Sequence, residues 1–145
     1  MIVRNMEAKD ISVVAMLEKE AFSEPWSEKS FEDSLKLDYS LFLVAEEEGE
    51  IAGYAGMYLI QHEGNVTNIA VFQKWKRRGI GTMLVQEMLS EIKKRGVTAA
   101  TLEVRESNIG AIALYEKAGF QSVGIRKNFY DNPKEDAVIM WNYEL

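Results

Sequence analysis

Cysteine is absent from this chain and histidine occurs once, at position 62. Disulfides, thiol nucleophiles and a His/Cys metal cage are thereby excluded. His62 sits in the polar stretch Gln61-His62-Glu63-Gly64-Asn65 with no nucleophile motif beside it, which argues against a Ser-His-Asp hydrolase. No basic segment followed by an apolar stretch opens the chain, and no run of roughly 18 apolar residues occurs later. A cytoplasmic location with no membrane contact is expected. Repeats and low-complexity tracts are missing too. What remains is an ordinary globular composition, 47% apolar and 28% charged over 145 residues, which predicts a single domain spanning 1–145. The formal net charge is −6. Against that balance, Lys74, Lys76, Arg77 and Arg78 crowd together just before Gly79-Ile80-Gly81.

Apolar periodicity orders the elements. Ile11, Val14, Leu17 and Phe22 mark one face of a helix capped by Asp10, and Pro25 is expected to end it. Ser27 caps a second helical pattern with Phe31 and Leu35 inward. Leu41–Glu46 and Ile51–Ile60 read as strands joined by the polar turn Glu47-Glu48-Gly49-Glu50, and Asn65–Phe72 as a third strand. Ile80, Leu84, Val85, Met88, Leu89 and Ile92 give a long helix that Gly96 stops. A strand over Ala99–Val104, a short helix ended by Gly119 and two final strands complete the chain, with a further short strand at Ile2–Met6 ahead of them all. The fold class is α/β, a mixed sheet. Consecutive hairpins make one half antiparallel, whereas the strand-helix-strand unit from Asn65 to Val104 demands a parallel pair with a right-handed crossover.

A strand, a basic glycine turn and a helix start form an anion site, because the first helical amides lack intrahelical partners. Which anion is a separate matter. A Walker A loop needs Lys after the second glycine, and Thr82 stands there. A dinucleotide fingerprint needs a small residue at position 84, which is Leu84. The frame Lys76-Arg77-Arg78-Gly79-Ile80-Gly81-Thr82 instead resembles the pyrophosphate-binding motif of the GCN5-related N-acetyltransferases (GNAT), with Lys76 where Gln or Arg is usual. Five further stretches, PWSEKSF, NIAVF, LEVRESNIGAIALYEKAGF, GIRKNFY and EDAVIMW, resemble the ribosomal-protein alanine (RimI-type) branch of that family in the same order.

The resemblance implies the GNAT acyl-CoA N-acyltransferase fold, a mostly antiparallel sheet whose one parallel pair splays to admit acetyl-CoA. It further implies that backbone groups of Ile69, Ala70 and Val71 hold the thioester, and that the loop Arg77, Arg78, Gly79, Ile80, Gly81 and Thr82 holds the pyrophosphate. Asn108 matches a cofactor contact, and it is equally a plain helix cap. Pro25, Trp26 and Tyr130 resemble residues closing over a peptide N-terminus, with Phe129 where relatives often carry a second tyrosine. Trp26 and Tyr130 also fit as aromatics that merely cover the sheet.

Glu103 alternates outward from Leu102 and Val104. On its own it reads equally as a salt-bridged structural residue or as a general base, and the resemblance assigns it the base. Partial burial is expected to tune it for that task. Tyr115, by itself an ordinary half-buried helix tyrosine, is implied to return a proton to the departing CoA thiolate. An α-amine near pKa 8 is easier to free at neutral pH than a lysine near 10.4 by about 3 kcal/mol, which favours a protein N-terminus as acceptor. Direct transfer in a ternary complex is expected, since no cysteine can carry the acetyl group. The resemblance names the acceptor as the N-terminal alanine of the eighteenth small-subunit ribosomal protein, a basic peptide, with no nucleic acid and no metal required. Another N-terminus, a lysine, a small amine, or a non-catalytic acyl-CoA-binding module stay open as alternatives. The acidic remainder of the chain suits attraction of basic tails.

Overall fold

The computed structural model describes residues 1–145. Its elements run β1 (Ile2–Asn5), α1 (Ile11–Ala21), α2 (Glu28–Leu35), β2 (Ser40–Glu47), β3 (Glu50–Ile60), β4 (Glu63–Val71), α3 (Ile80–Lys94), β5 (Ala99–Arg105), α4 (Ile109–Lys117), β6 (Gln121–Tyr130) and β7 (Glu135–Asn142). The seven strands form one sheet in the order β1-β2-β3-β4-β5-β7-β6. Only β4 and β5 are parallel, and α3 is the crossover between them.

Both faces of the sheet are covered, so β2 is apolar at every central position rather than at alternate ones. Leu41, Leu43 and Ala45 join a core with Leu84, Met88 and Ile92 of α3 and Tyr115 of α4. Phe42 and Val44 join a second core with Val14 and Leu17 of α1 and Phe31 of α2. Helix α3 buries Ile80, Leu84, Val85, Met88 and Ile92, the stripe its periodicity predicts, and Gly96 lies just beyond its end with φ of +83°. Ser27 caps α2 by accepting a hydrogen bond from the Ser30 amide at 3.1 Å.

The start of α1 departs from expectation. Asp10 makes no side-chain cap and has helical backbone angles, because a 3-10 turn over Ala8–Asp10 precedes the helix. Its carboxylate instead accepts the Glu7 amide at 2.8 Å and both terminal nitrogens of Arg4, at 2.8 and 2.9 Å. Arg4 also reaches Glu46 at 2.8 Å, so one guanidinium on β1 fastens the helix start to the sheet. Pro25 does not end α1 either; the helix stops four residues earlier, at Ala21, where Phe22 turns extended.

Burial alone would push the Asp10 carboxyl up, but the Arg4 hydrogen bonds, the Glu7 amide and the guanidinium charge outweigh it and hold the group below its ordinary value. A depressed folded value means that the stabilisation is complete above the unfolded value near 3.9 and is lost as pH falls through the folded one. Arg4→Ala should cost about 2 kcal/mol at pH 7, below the figure for a fully buried pair because Arg4 is partly exposed. In urea unfolding followed by circular dichroism, the gap to the parent protein should narrow as pH falls below about 4.

Candidate active site

The β4–β5 pairing lasts three residues, Glu63↔Ala99, Gly64↔Ala100 and Asn65↔Thr101, and then the strands part. Just past that point β4 bulges. Gly56 faces Asn68 and Met57 faces Val66, which leaves Thr67 as the extra residue and re-aims the rest of the strand. The Phe72 amide bonds the Ala52 carbonyl at 2.9 Å, so by ladder alternation Ala70 also turns its backbone groups to β3. Ile69 and Val71 turn theirs into the gap. Of the three residues expected to offer backbone groups there, Ala70 is thus engaged within the sheet.

Two cavities open from this gap. One, of about 590 Å³, is lined by Ile69, Val71, Trp75, Lys76, Arg77, Gly79, Gly81, Thr82 and the start of α4. The other, of about 400 Å³, is lined by Glu18, Trp26, Asn68, Glu103, Arg105, Phe129 and Tyr130 among others. Ile69, Asn108 and Tyr115 belong to both, so the cavities meet beside them.

The first cavity has the features of an anion cradle. Gly79 precedes α3 with φ of +77°, and Arg77 is also left-handed at +67°. The first helical hydrogen bond runs from the Met83 amide to the Gly79 carbonyl at 3.0 Å, so the amides before it have no helical acceptor. A Cβ on Gly81 would lie 2.9 Å from Leu114 Cδ1, so a larger residue there would require the end of the Leu114 side chain to shift. Arg78 does not line the cavity; its guanidinium stacks over Trp75, 4.9 Å from the ring centroid. Lys74 pairs with Glu50.

The second cavity gathers residues from five segments. Tyr115 is buried against Phe120 with ring centroids 5.7 Å apart. Burial pushes its hydroxyl well above the usual tyrosine value, and Tyr130 adds to the shift. The Tyr130 hydroxyl is pushed up to about 12, first by burial and then by the nearby Glu103 carboxylate. Glu103 is the most exposed residue of β5, yet its side chain is 32% exposed and so partly buried as expected, and Arg126 Nε approaches it at 3.5 Å. Asn108 caps α4, accepting the Ala111 amide at 3.2 Å. Trp26 packs against Phe31 at 5.3 Å and lines the cavity, whereas Pro25 is exposed and lines neither.

Glu18 is a site residue that the sequence reading misses. It is 1% exposed, lines the second cavity, and accepts hydrogen bonds from the Tyr54 hydroxyl, from Asn68 Nδ2 at 3.0 Å and from the Trp26 amide at 2.9 Å. A signal for it exists in the sequence, since Glu18 lies seven residues after Ile11 and four after Val14 on the stripe α1 must bury.

The acetyltransferase (GNAT) family model matches residues 11–120. The chain belongs to the GNAT acetyltransferase family. The [ribosomal protein bS18]-alanine N-acetyltransferase of Escherichia coli strain K12 is 37% identical over 140 residues, covering 95% of this chain and 94% of that protein. Its counterpart from Haemophilus influenzae is 36% identical over 145 residues, covering 98% of each. The crystal structure of the ribosomal-protein-S18-alanine N-acetyltransferase from Escherichia coli matches with a TM-score of 0.90 at 35% identity, over 99% of this chain and 94% of that one. The seven-stranded mixed sheet with its one parallel pair is the GNAT fold.

In this GNAT acetyltransferase the rim of the second cavity is tied down by one side chain. Arg105 bonds Glu135 at 3.0 Å and the carbonyls of Asp131 and Pro133 at 2.9 Å each, and its guanidinium lies 4.5 Å from the Tyr130 ring centroid. Glu135 in turn accepts the Ser107 amide at 2.7 Å, and with Arg105 this holds its carboxyl below the ordinary value. Arg105→Ala should speed amide exchange across residues 131–136 by about tenfold or more while β2 and β3 stay protected, read by hydrogen-exchange mass spectrometry.

Proposed function

We propose that the chain transfers an acetyl group from acetyl-CoA to the α-amine of an N-terminal alanine on ribosomal protein bS18, the activity for which its Escherichia coli and Haemophilus influenzae relatives are named. The observation that carries the reading is the meeting of two cavities at Ile69 and Tyr115, one rimmed by free amides and cations, the other by carboxylates and aromatic rings.

The first cavity fits acetyl-CoA. The amides from Gly79 to Thr82 suit its pyrophosphate, Lys76 and Arg77 add positive charge, and Gly79, with open space where a Cβ would sit, leaves backbone open to close approach. The Ile69 and Val71 amides, turned into the gap, are placed to polarise a carbonyl. Bound acetyl-CoA supplies an activated acyl group and a thiol leaving group.

The chain's own residues handle the protons. Glu103 faces the second cavity with an accessible carboxylate and takes the proton of the amine directly or through one water. Tyr115 lies where the cavities join and holds its proton tightly because it is buried. Free tyrosinate is therefore disfavoured: as the amine nitrogen bonds the acetyl carbon and the carbon–sulfur bond breaks, Tyr115 passes its hydroxyl proton to the departing sulfur and is restored through solvent by the proton that Glu103 took from the amine. Glu18, Glu24, Glu103 and Asp131 line the acceptor side against the one cation Arg105, which suits a basic N-terminal peptide.

Tyr115→Phe should lower kcat by about 100-fold or more, the usual scale of a lost general acid, while the Kd for acetyl-CoA measured by calorimetry changes little. Unchanged turnover would remove the assigned role. The acceptor is tested with two peptides, one beginning with a free alanine and one blocked at its N-terminus but carrying a lysine. Mass spectrometry should place the acetyl group on the α-amine of the first and leave the second unmodified; equal transfer to both would overturn the reading.

A further inference from the structure

Glu18 puts a carboxylate where an amphipathic helix normally buries hydrocarbon. Its neighbours on the stripe, Ile11, Val14, Ala15 and Leu17, are all apolar and all at most 5% exposed. Three donors serve its two oxygens, the Tyr54 hydroxyl, Asn68 Nδ2 and the Trp26 amide, and all three are neutral. No lysine or arginine pairs with it, unlike the other buried carboxylate, Asp10, which has Arg4. A buried anion with no cation is costly to keep, and packing alone does not call for one.

The other charges around the same cavity are differently placed. Glu103 has Arg126 beside it, and Arg105 is committed to Glu135 and two carbonyls. Glu24 and Asp131 are exposed, where solvent and salt screen them. Glu18 is the one fully buried charge on the cavity wall, and a low-dielectric setting lets its field act at longer range.

We propose that Glu18 is a specificity and positioning residue: its buried negative charge selects an acceptor that enters as a primary ammonium and draws it to the inner wall beside Asn68, facing Glu103. This inference rests on the N-terminal acetyl transfer proposed above. An α-amine with a pKa near 8 is mostly protonated at neutral pH, so the acceptor arrives as a cation and needs a counter-charge before it needs a base. Both Glu18 oxygens already accept hydrogen bonds from protein donors, and the base assigned to the amine's proton is another carboxylate. The more open Glu103 carboxylate takes it. Through the Trp26 amide and Asn68, Glu18 also fixes the α1–α2 loop against the β4 bulge, so the counter-charge and the wall it acts on are held together.

The test is a binding comparison, separate from turnover. The enzyme saturated with CoA is titrated calorimetrically with two peptides of one sequence, the first beginning with alanine and the second with the same residue lacking its amino group. The parent protein should bind the ammonium peptide about tenfold or more tightly than its neutral counterpart. Glu18→Gln should bring that ratio close to one by weakening the ammonium peptide alone, with Tm and CoA affinity as folding controls. Equal weakening of both peptides would show a merely structural role and overturn the proposal. Glu103→Gln supplies an arm that does not depend on the Glu18 variant folding: the ratio should survive there, and its collapse would move the selection to Glu103. Failure of the broader functional reading is seen separately, as absence of acetylation of the alanine peptide by the parent enzyme.

Discussion

Three residue pairs hold β4 to β5, and the site exists because the pairing stops there. A sheet normally satisfies its backbone amides and carbonyls with a neighbouring strand, and leaving them unpaired in an interior costs free energy. Here the divergence leaves the outward groups of Ile69 and Val71 facing a cleft. The Thr67 bulge turns β4 away from β5 while β3 still pairs with it on the other side, and the α3 crossover brings the glycine turn to the mouth of the opening. Without the splay, the two cavities would be the interior of a continuous sheet.

The walls of the opening are held by a few multivalent side chains. Glu18 joins α1, β3, the β4 bulge and the α1–α2 loop, and Arg105 joins β5 to the turn between β6 and β7. Each serves several segments at once, so cavity walls made from loops take their order from strands and helices. β6 contributes by irregularity: its register slips against β7 between Arg126 and Tyr130, with Asn128 left-handed, and this swings Phe129 and Tyr130 onto the cavity.

The strand and helix order is legible in the sequence because the apolar periods are strong. Ile80, Leu84, Val85, Met88 and Ile92 can only be a helix face, and the parallel pair is dictated by a helix set between two strands. The glycine turn is legible as an anion site from its place at a helix start. Other features are hidden for a shared reason, that they depend on contacts between segments distant in sequence. Asp10 has the chemistry and the position of a cap, but Arg4 of β1 claims its carboxylate and ties it to Glu46 of β2. The central place of β5 predicts partial shelter for Glu103, which it has, but not that Arg126 of β6 approaches its carboxylate. Glu18 has the residue type of a surface charge, and only its spacing places it on the buried stripe.

The carboxylate-lined cavity has a consequence for turnover. On the proposed reading the acceptor enters as an ammonium and acetylation replaces it by a neutral amide, so the field proposed to draw it inward has no hold on the product. Attraction and release are then governed by the same fixed charges, and the reaction itself switches one to the other. Such a wall discriminates between a modified and an unmodified chain end without any moving part.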